Sequence, residues 1–328
     1  MYSWTLTPEI LLSTVLLAVL YANGMRSLRG KSASADAPLR HVSFFGGLIA
    51  VFVALQSPLD AMADRSFFMH QVQHLLLQTA GPMLIMLAMP QRCLMAGTPA
   101  VLMDRLLLPL FFNRAVRVLF RVLALPWIAA LLLAGSLFLW HWPPYHDLAV
   151  LDDGVHYLMH FTLLSAGLLF YWCVFDPRPA PLGATYGTRW NVILFTMTAG
   201  MLLGAVIAFK ETVLYTAYDH IGRLWGLAPL TDERIGGLIM WIPGSILCVP
   251  ALLVVLRMWN SRESRVDHWR QRGVAPAVPA TRTGNSRFAL RLAAIALAAF
   301  GVTLGIGMAA TGQLSVISRW LARTFLVI

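Results

Sequence analysis

Histidines occur in closely spaced pairs in three stretches of the chain, HQVQH, HWPPYH and HYLMH. Side chains four residues apart on a helix lie on one face, about one turn from each other, and neutral imidazole is the commonest protein ligand for metals. If the three stretches reach the same side of a membrane, their imidazoles converge on one site, and a transition metal explains why they gather there. The histidines are His70, His74, His141, His146, His156 and His160.

Sulfur and carboxylate groups near these pairs narrow the choice of metal. Met69 and Met159 each adjoin a paired histidine, and soft thioethers favour copper, in particular Cu(I). Asp60 is an acidic partner in an aspartate-rich mouth that would attract a cation. Polar groups in membrane helices also join helices without binding metal, and methionines are common packing residues. The prediction of a copper site therefore depends on all three pairs meeting at one place.

The composition identifies an integral membrane protein. Of the 328 residues, 58% are hydrophobic and 12% are charged, whereas soluble domains carry about 25% charged residues. Apolar runs of about 20 residues, long enough to cross a bilayer, recur along the chain. The formal charge of +10 comes from basic residues spread among the loops. This spread disfavours nucleic acid as a partner, because nucleic-acid binders cluster such residues on one soluble face.

The sequence predicts an all-α bundle of about eight transmembrane helices, with a seven-helix core and one C-terminal span. The stretch 91–126 mixes arginine with apolar residues, a pattern that favours a helix lying in the interface plane. The spans are expected near residues 8–24, 41–57, 68–89, 127–140, 155–175, 190–209, 235–256 and 288–310.

The positive-inside rule orients this bundle with its N-terminus outside. Most of the 25 lysines and arginines then lie in inner segments, and the three histidine pairs lie at the outer leaflet. His41 and His268 fall on the inner side and are not expected in the site. The chain divides into a membrane core with the histidine cluster, 1–257, a basic cytoplasmic linker, 258–287, and an extra span with an amphipathic tail, 288–328.

The sequence also leaves other functions open. A haem-b-binding electron carrier could use His70 with His156, but this leaves the second histidine of each pair unexplained, and the chain lacks the CxxCH motif of covalent haem attachment. A metal transporter should carry ionisable groups through the middle of the membrane, where the spans show almost none. A scaffold that binds no metal is a further alternative. A metallohydrolase would need a general base and an open coordination position, and without HExxH no enzymatic activity is expected.

Motifs over about residues 57–250 resemble the multispanning CtaG-type cytochrome c oxidase assembly factors. The motifs are HQVQHLLL followed by GPMLIMLAMP, then WHWPPYHDLA, HYLMHFTLLSAGLLFYW and DERIGGLIMWIPG. The resemblance implies an integral membrane factor that matures haem-copper oxidase by handling copper for its metal centres. The family's histidines fall on His70, His74, His141, His156 and His160, with His146 as an addition and Asp60 as an acidic partner.

The expected ligands are His70, His74, His156 and His160, with His141 and His146 as further ligands or a gate. The resemblance also implies a bacterial inner membrane protein that exchanges copper with an apo-oxidase subunit or a periplasmic copper chaperone.

Two further expectations concern residues of the motif DERIGGLIMWIPG. Glu233 stands where an amide is expected, a departure that would change a hydrogen bond near the site. Gly236 and Gly237 are expected to pack closely against a neighbouring helix.

Overall fold

A computed structural model describes residues 4, 7–30, 37–178, 180 and 182–272 of the chain. Over these ranges the protein is helical and contains no strand. The predicted linker is described only as far as residue 272, and the predicted C-terminal span and tail, 288–328, lie outside the described residues.

The described helices follow one another through short turns, and α4 contains one π-helical turn, Leu76–Ala80. Three short helical pieces, Ala100–Leu102, Met103–Leu107 and Leu108–Phe112, lie between α5 and α6. The helices are α1 (Pro8–Leu28), α2 (Pro38–Gln56), α3 (Pro58–Ala63), α4 (Phe67–Leu87), α5 (Gln91–Gly97), α6 (Arg114–Leu123), α7 (Pro126–Trp140), α8 (Pro143–Leu151), α9 (Asp153–Phe175), α10 (Tyr186–Phe209), α11 (Ala217–Ile221) and α12 (Pro229–Gln271).

Five of these helices, α1, α2, α9, α10 and α12, are long and apolar enough to cross a membrane. Two bent pairs raise the number to as many as seven, if α4 with α5 (bent by 74°) and α6 with α7 (bent by 73°) each form one span. The predicted all-α membrane architecture is confirmed. The total of eight spans and the outer position of the N-terminus stay predictions.

Local sequence explains where several helices begin. Proline stands in the first turn of α1, α2, α3, α7 and α8, where its fixed φ suits the helix and its missing N–H has no intrahelical partner to lose. The connection after α7, which the sequence predicts as a loop, is therefore helical over Pro143–Leu151. This extra helix carries His146.

The last described helix extends beyond the predicted span. α12 continues to Gln271, so the first part of the predicted linker, residues 258–271, is helical. The chain between residues 251 and 272 contains neither glycine nor proline, and nothing in it interrupts the helix.

A close helix contact joins α10 to α12 through glycines. A β-carbon added to Gly237 would lie 2.5 Å from the backbone nitrogen of Ala208 and 2.7 Å from the carbonyl oxygen of Gly204. A β-carbon on Gly236 would overlap the ring of Phe67, at the start of α4. The predicted close packing through Gly236 and Gly237 is confirmed, and it brings α12 against the helix that carries His70 and His74.

Replacing Gly237 with alanine should separate α10 from α12 and lower the free energy of unfolding by about 1–3 kcal/mol, the usual cost of overpacking. Chemical denaturation in mixed micelles would measure this change. Gly135→Ala in α7 is the matched control, because no atom lies within 4 Å of its added β-carbon, and it should leave the protein equally or more stable. Equal loss in both variants would contradict the packing role.

Candidate metal centre

The first turn of α4 is held by a carboxylate from α12. Asp232 is fully buried and accepts hydrogen bonds from the backbone nitrogens of Phe67 and Phe68, both at 3.0 Å, and from the hydroxyl of Ser66 at 2.8 Å. A carboxylate at a helix N-terminus satisfies unpaired N–H groups and the positive end of the helix dipole. Asp232 thereby fixes the position of His70 and His74, which lie on the next turns.

A network of buried charges supports this anchor. Arg223 contacts Asp232 at 2.8 Å and Glu233 at 3.5 Å, and the fully buried ammonium of Lys210 pairs with Glu233. Glu233 also accepts hydrogen bonds from the backbone nitrogens of Leu214 and Tyr215, at 2.9 and 3.0 Å. These charges lie between the predicted spans 190–209 and 235–256, and the structure buries Lys210, Asp232 and Glu233. The carboxylate at position 233 therefore orders the segment that carries Tyr215 and Tyr218.

The six predicted imidazoles converge at one end of the bundle. Ring centroids are 4.4 Å apart within the pairs on α4 and on α9, and the ring of His70 stacks on that of His156 at 5.4 Å. The two remaining histidines border this group, with centroid distances of 5.0 Å from His70 to His146 and 5.6 Å from His74 to His141. Three separate elements of the chain thus bring their histidines together.

His70, His74 and His160 form the most buried group of potential ligands. One nitrogen from each ring lies within 4.8 Å of the others, and the three residues are at most 6% exposed. Nε2 of His70 and both ring nitrogens of His74 have no hydrogen-bond partner among the described residues. A buried polar atom without a partner costs about 1–3 kcal/mol, so these atoms fit a coordinated metal ion.

A second group, nearer the surface, shares one of these rings. Asp60, His156 and His160 also offer ligand atoms within 4.8 Å of one another, and Nε2 of His156 lies 3.1 Å from Nε2 of His160. The group borders a cavity of about 90 Å³ that is also lined by Asp64 and Asp153. Burial and the carboxylates of Asp60 and Asp153 raise the pKa of Asp64 to about 6. The predicted acidic mouth is thus present beside the histidines.

His146 supports His70 through a tyrosine. Nδ1 of His146 donates to the carbonyl oxygen of Trp140 at 2.9 Å, so Nε2 of the neutral ring accepts from the hydroxyl of Tyr218, 2.8 Å away. The same hydroxyl oxygen lies 3.1 Å from Nδ1 of His70 and can only accept there. This chain of hydrogen bonds places the proton of His70 on Nδ1 and leaves the lone pair of Nε2 available to a metal.

His141 has both ring nitrogens engaged. Nδ1 donates to the carbonyl oxygen of Leu137 at 2.6 Å, and Nε2 lies 2.8 Å from Oε1 of Gln71. Burial lowers the pKa of His141 to about 4 and that of His146 to about 3, so both rings are neutral at physiological pH. Because Nδ1 donates, Nε2 of the neutral ring can only accept, and the Gln71 amide forms a hydrogen bond with it when rotated so that its NH₂ group takes the place of Oε1.

The predicted methionines have different surroundings. Met159 is fully buried in an apolar cluster with Trp140, Ala149 and Leu163, which gives it a packing role. Met69 is half-buried and stays an expectation. Sequence reasoning missed Tyr218 and Gln71, whose only signal was that each is a polar residue beside an apolar run.

The chain is similar to a protein family and to proteins of mycobacteria. A family model described as cytochrome c oxidase caa3 assembly factor matches residues 19–262. Uncharacterized proteins of Mycobacterium bovis and Mycobacterium tuberculosis are each 24% identical over 270 residues, which is 80% of this chain and 40% of theirs. A Mycobacterium leprae protein is 22% identical over the same share. The chain therefore spans 40% of the length of these relatives, and no solved structure matches it.

Replacing Asp232 with alanine should lower the free energy of unfolding by about 3–5 kcal/mol, because it breaks a buried ion pair with Arg223 and leaves the start of α4 without its acceptor. Denaturation in mixed micelles would measure the loss. The control is Asp219→Ala, which removes a half-exposed partner of the same arginine and should cost less than about 1 kcal/mol. Comparable losses would show that Asp232 is not a special anchor.

Proposed function

Since the chain belongs to the cytochrome c oxidase caa3 assembly factor family, we propose that it binds copper at the histidine cluster and helps to insert it into the oxidase. Copper is then the cargo of the protein, and the chain carries out no catalytic turnover. His70, His74, His156 and His160 hold the ion in this proposal. His141 and His146 orient the surrounding groups.

The unpartnered nitrogens of His70 and His74 carry the proposal. The buried charges around Asp232 and Glu233 all have partners, whereas the histidine cluster retains acceptor atoms with nothing to accept. Neutral imidazoles suit copper and other borderline metals. A site of two or three such ligands with an open edge would hold Cu(I) and release it by ligand exchange.

The distribution of basic residues supports delivery outside the cytoplasm. The basic residues Arg26, Arg40, Arg92 and Arg178 lie near the ends of helices opposite to the histidines, where the positive-inside rule favours the cytoplasm. We therefore place the cluster on the periplasmic side of a bacterial inner membrane. Its partners would be an apo-oxidase subunit or a periplasmic copper chaperone.

The cavities beside the cluster favour a single ion over haem. The acidic cavity has about 90 Å³, and a second cavity below His74 has about 50 Å³. Sites for organic cofactors and ligands usually occupy about 300 Å³ or more. The second cavity is lined by His74 and by groups such as Gln78, Thr79 and Met240, with no Asp, Glu, Lys or Arg among them, whereas a metal transporter should carry charged groups through the middle of the membrane.

Metal analysis of protein purified without oxygen tests the site. Wild type should contain stoichiometric copper, and His156→Ala/His160→Ala should lose it, because that variant removes ligands from both groups described above. His220→Ala, an exposed histidine outside the cluster, is the control and should retain the metal.

Copper absent from wild type would contradict the copper site. A scaffold without metal would give a different result in cells, where oxidase copper content would be unchanged after replacement of both His70 and His74 with alanine. We expect that content to fall.

Replacing Tyr218 with phenylalanine should lower copper affinity by about 10–100-fold, the usual effect of losing a partner that orients a ligand. The change removes the hydroxyl that fixes the tautomer of His70 without removing a ligand. Tyr215→Phe is matched in size and burial, but its hydroxyl donates to the backbone carbonyl of His141 at 3.0 Å, so it should have little effect. Competition with a Cu(I) chelator would measure both, and equal affinities would contradict the role of Tyr218.

A further inference from the structure

We infer that the cluster is two overlapping metal positions that share His160, with an outer position through which copper enters and leaves an inner one. This inference rests on the proposed function. The outer position consists of Asp60, His156 and His160, and the inner position of His70, His74 and His160.

The outer position is built to meet an ion from solvent. The side chain of His156 is 13% exposed, and the acidic cavity beside it is open to Asp64 and Asp153. Carboxylates in such a cavity raise the local concentration of cations. The ligand set also contains a carboxylate, which compensates the charge of an arriving ion.

Neighbouring groups orient Asp60 and His156, two of the three ligands of the outer position. The buried amide of Gln73 donates to Oδ1 of Asp60 at 2.7 Å and to the carbonyl oxygen of Ala54 at 2.8 Å. The carboxylate of Asp64 lies 3.6 Å from Nδ1 of His156, so that Nε2 of this ring faces His160. In metal sites, hydrogen bonds of this kind from groups that do not touch the metal orient the ligands.

The inner position offers a drier and softer set of ligands. His70 and His74 are 0% and 1% exposed, and the group contains no carboxylate. Imidazole alone suits copper better than a set with oxygen ligands, which hard cations prefer. The inner position should therefore hold copper more tightly, and the outer position should select less and exchange faster.

The shared ring allows the ion to move without becoming free. His160 stays bound while Asp60 and His156 are replaced by His70 and His74, so each lost bond is matched by a new one. No electron transfer is needed, because only the ligands of the ion change and its oxidation state does not. The reverse exchange returns the ion to the mouth, where a partner can take it.

Asp60→Asn tests the outer position, because asparagine keeps the shape and the bond from Gln73 but loses the anionic ligand. Its equilibrium affinity for Cu(I) should stay near that of wild type, whereas stopped-flow transfer of Cu(I) to a chelator should slow by about tenfold or more. Asp153→Asn is the control, since it removes an equal charge from the same cavity without removing a ligand. This control should slow the transfer of Cu(I) by a smaller factor, and the slowing should vanish at high salt.

His74→Ala tests the inner position. This variant should retain Cu(I) weakly at the outer position. X-ray absorption should then show two imidazole ligands on the copper, where wild type shows three. The Asp60→Asn/His74→Ala double variant should lose the copper. Thermal unfolding of each variant would show that the fold is kept.

The outcomes separate the two proposals. Wild type without copper would overturn the proposed function. Wild type with copper, but with transfer from Asp60→Asn as fast as normal, would overturn only the two positions. Equal losses of Cu(I) affinity in Asp60→Asn and His74→Ala would also overturn only the two positions, since a single site would then use both residues.

Discussion

The contact between the Asp232 carboxylate and the first turn of α4 is the constraint on which the site depends. Two backbone N–H groups and the hydroxyl of Ser66 converge on one fully buried side chain. Gly236, one turn further along α12, lets the ring of Phe67 lie directly against that helix. Together these contacts fix the height and rotation of α4, and the direction of His70 and His74 follows from them.

Two groups of buried polar residues lie next to each other, the charges around Glu233 and the histidine cluster. They differ in whether their polar atoms have partners. In the layer around Glu233, each buried charge is paired, as the low dielectric of a protein interior requires. In the histidine layer, neutral rings leave ligand atoms unsatisfied. A fold that compensates Lys210 and Arg223 so completely has no structural reason to leave His74 without partners. The difference separates a layer that stabilises the bundle from one that is built to receive an ion.

The same residue type performs two tasks in this cluster. His74 keeps both nitrogens free, whereas His141 and His146 use both of theirs. The division arises from the neighbours: Gln71 and Tyr218 contact the nitrogens of the supporting rings, whereas the ring of His74 lies against other imidazoles and borders a cavity. A histidine at the edge of such a cluster therefore acts as a ligand or as a support according to one adjacent side chain.

The sequence by itself determined the all-helical membrane class and the histidine pairs on α4 and α9, because apolar runs and four-residue spacing are local properties. It also indicated the glycine contact of α12. Only the tertiary structure decided that Lys210, Asp232 and Glu233 are buried and which imidazole nitrogens are free. The bonds that decide these points join residues far apart in the chain, Tyr218 to His70 across 148 positions and Asp232 to Ser66 across 166, and no local pattern encodes such distances.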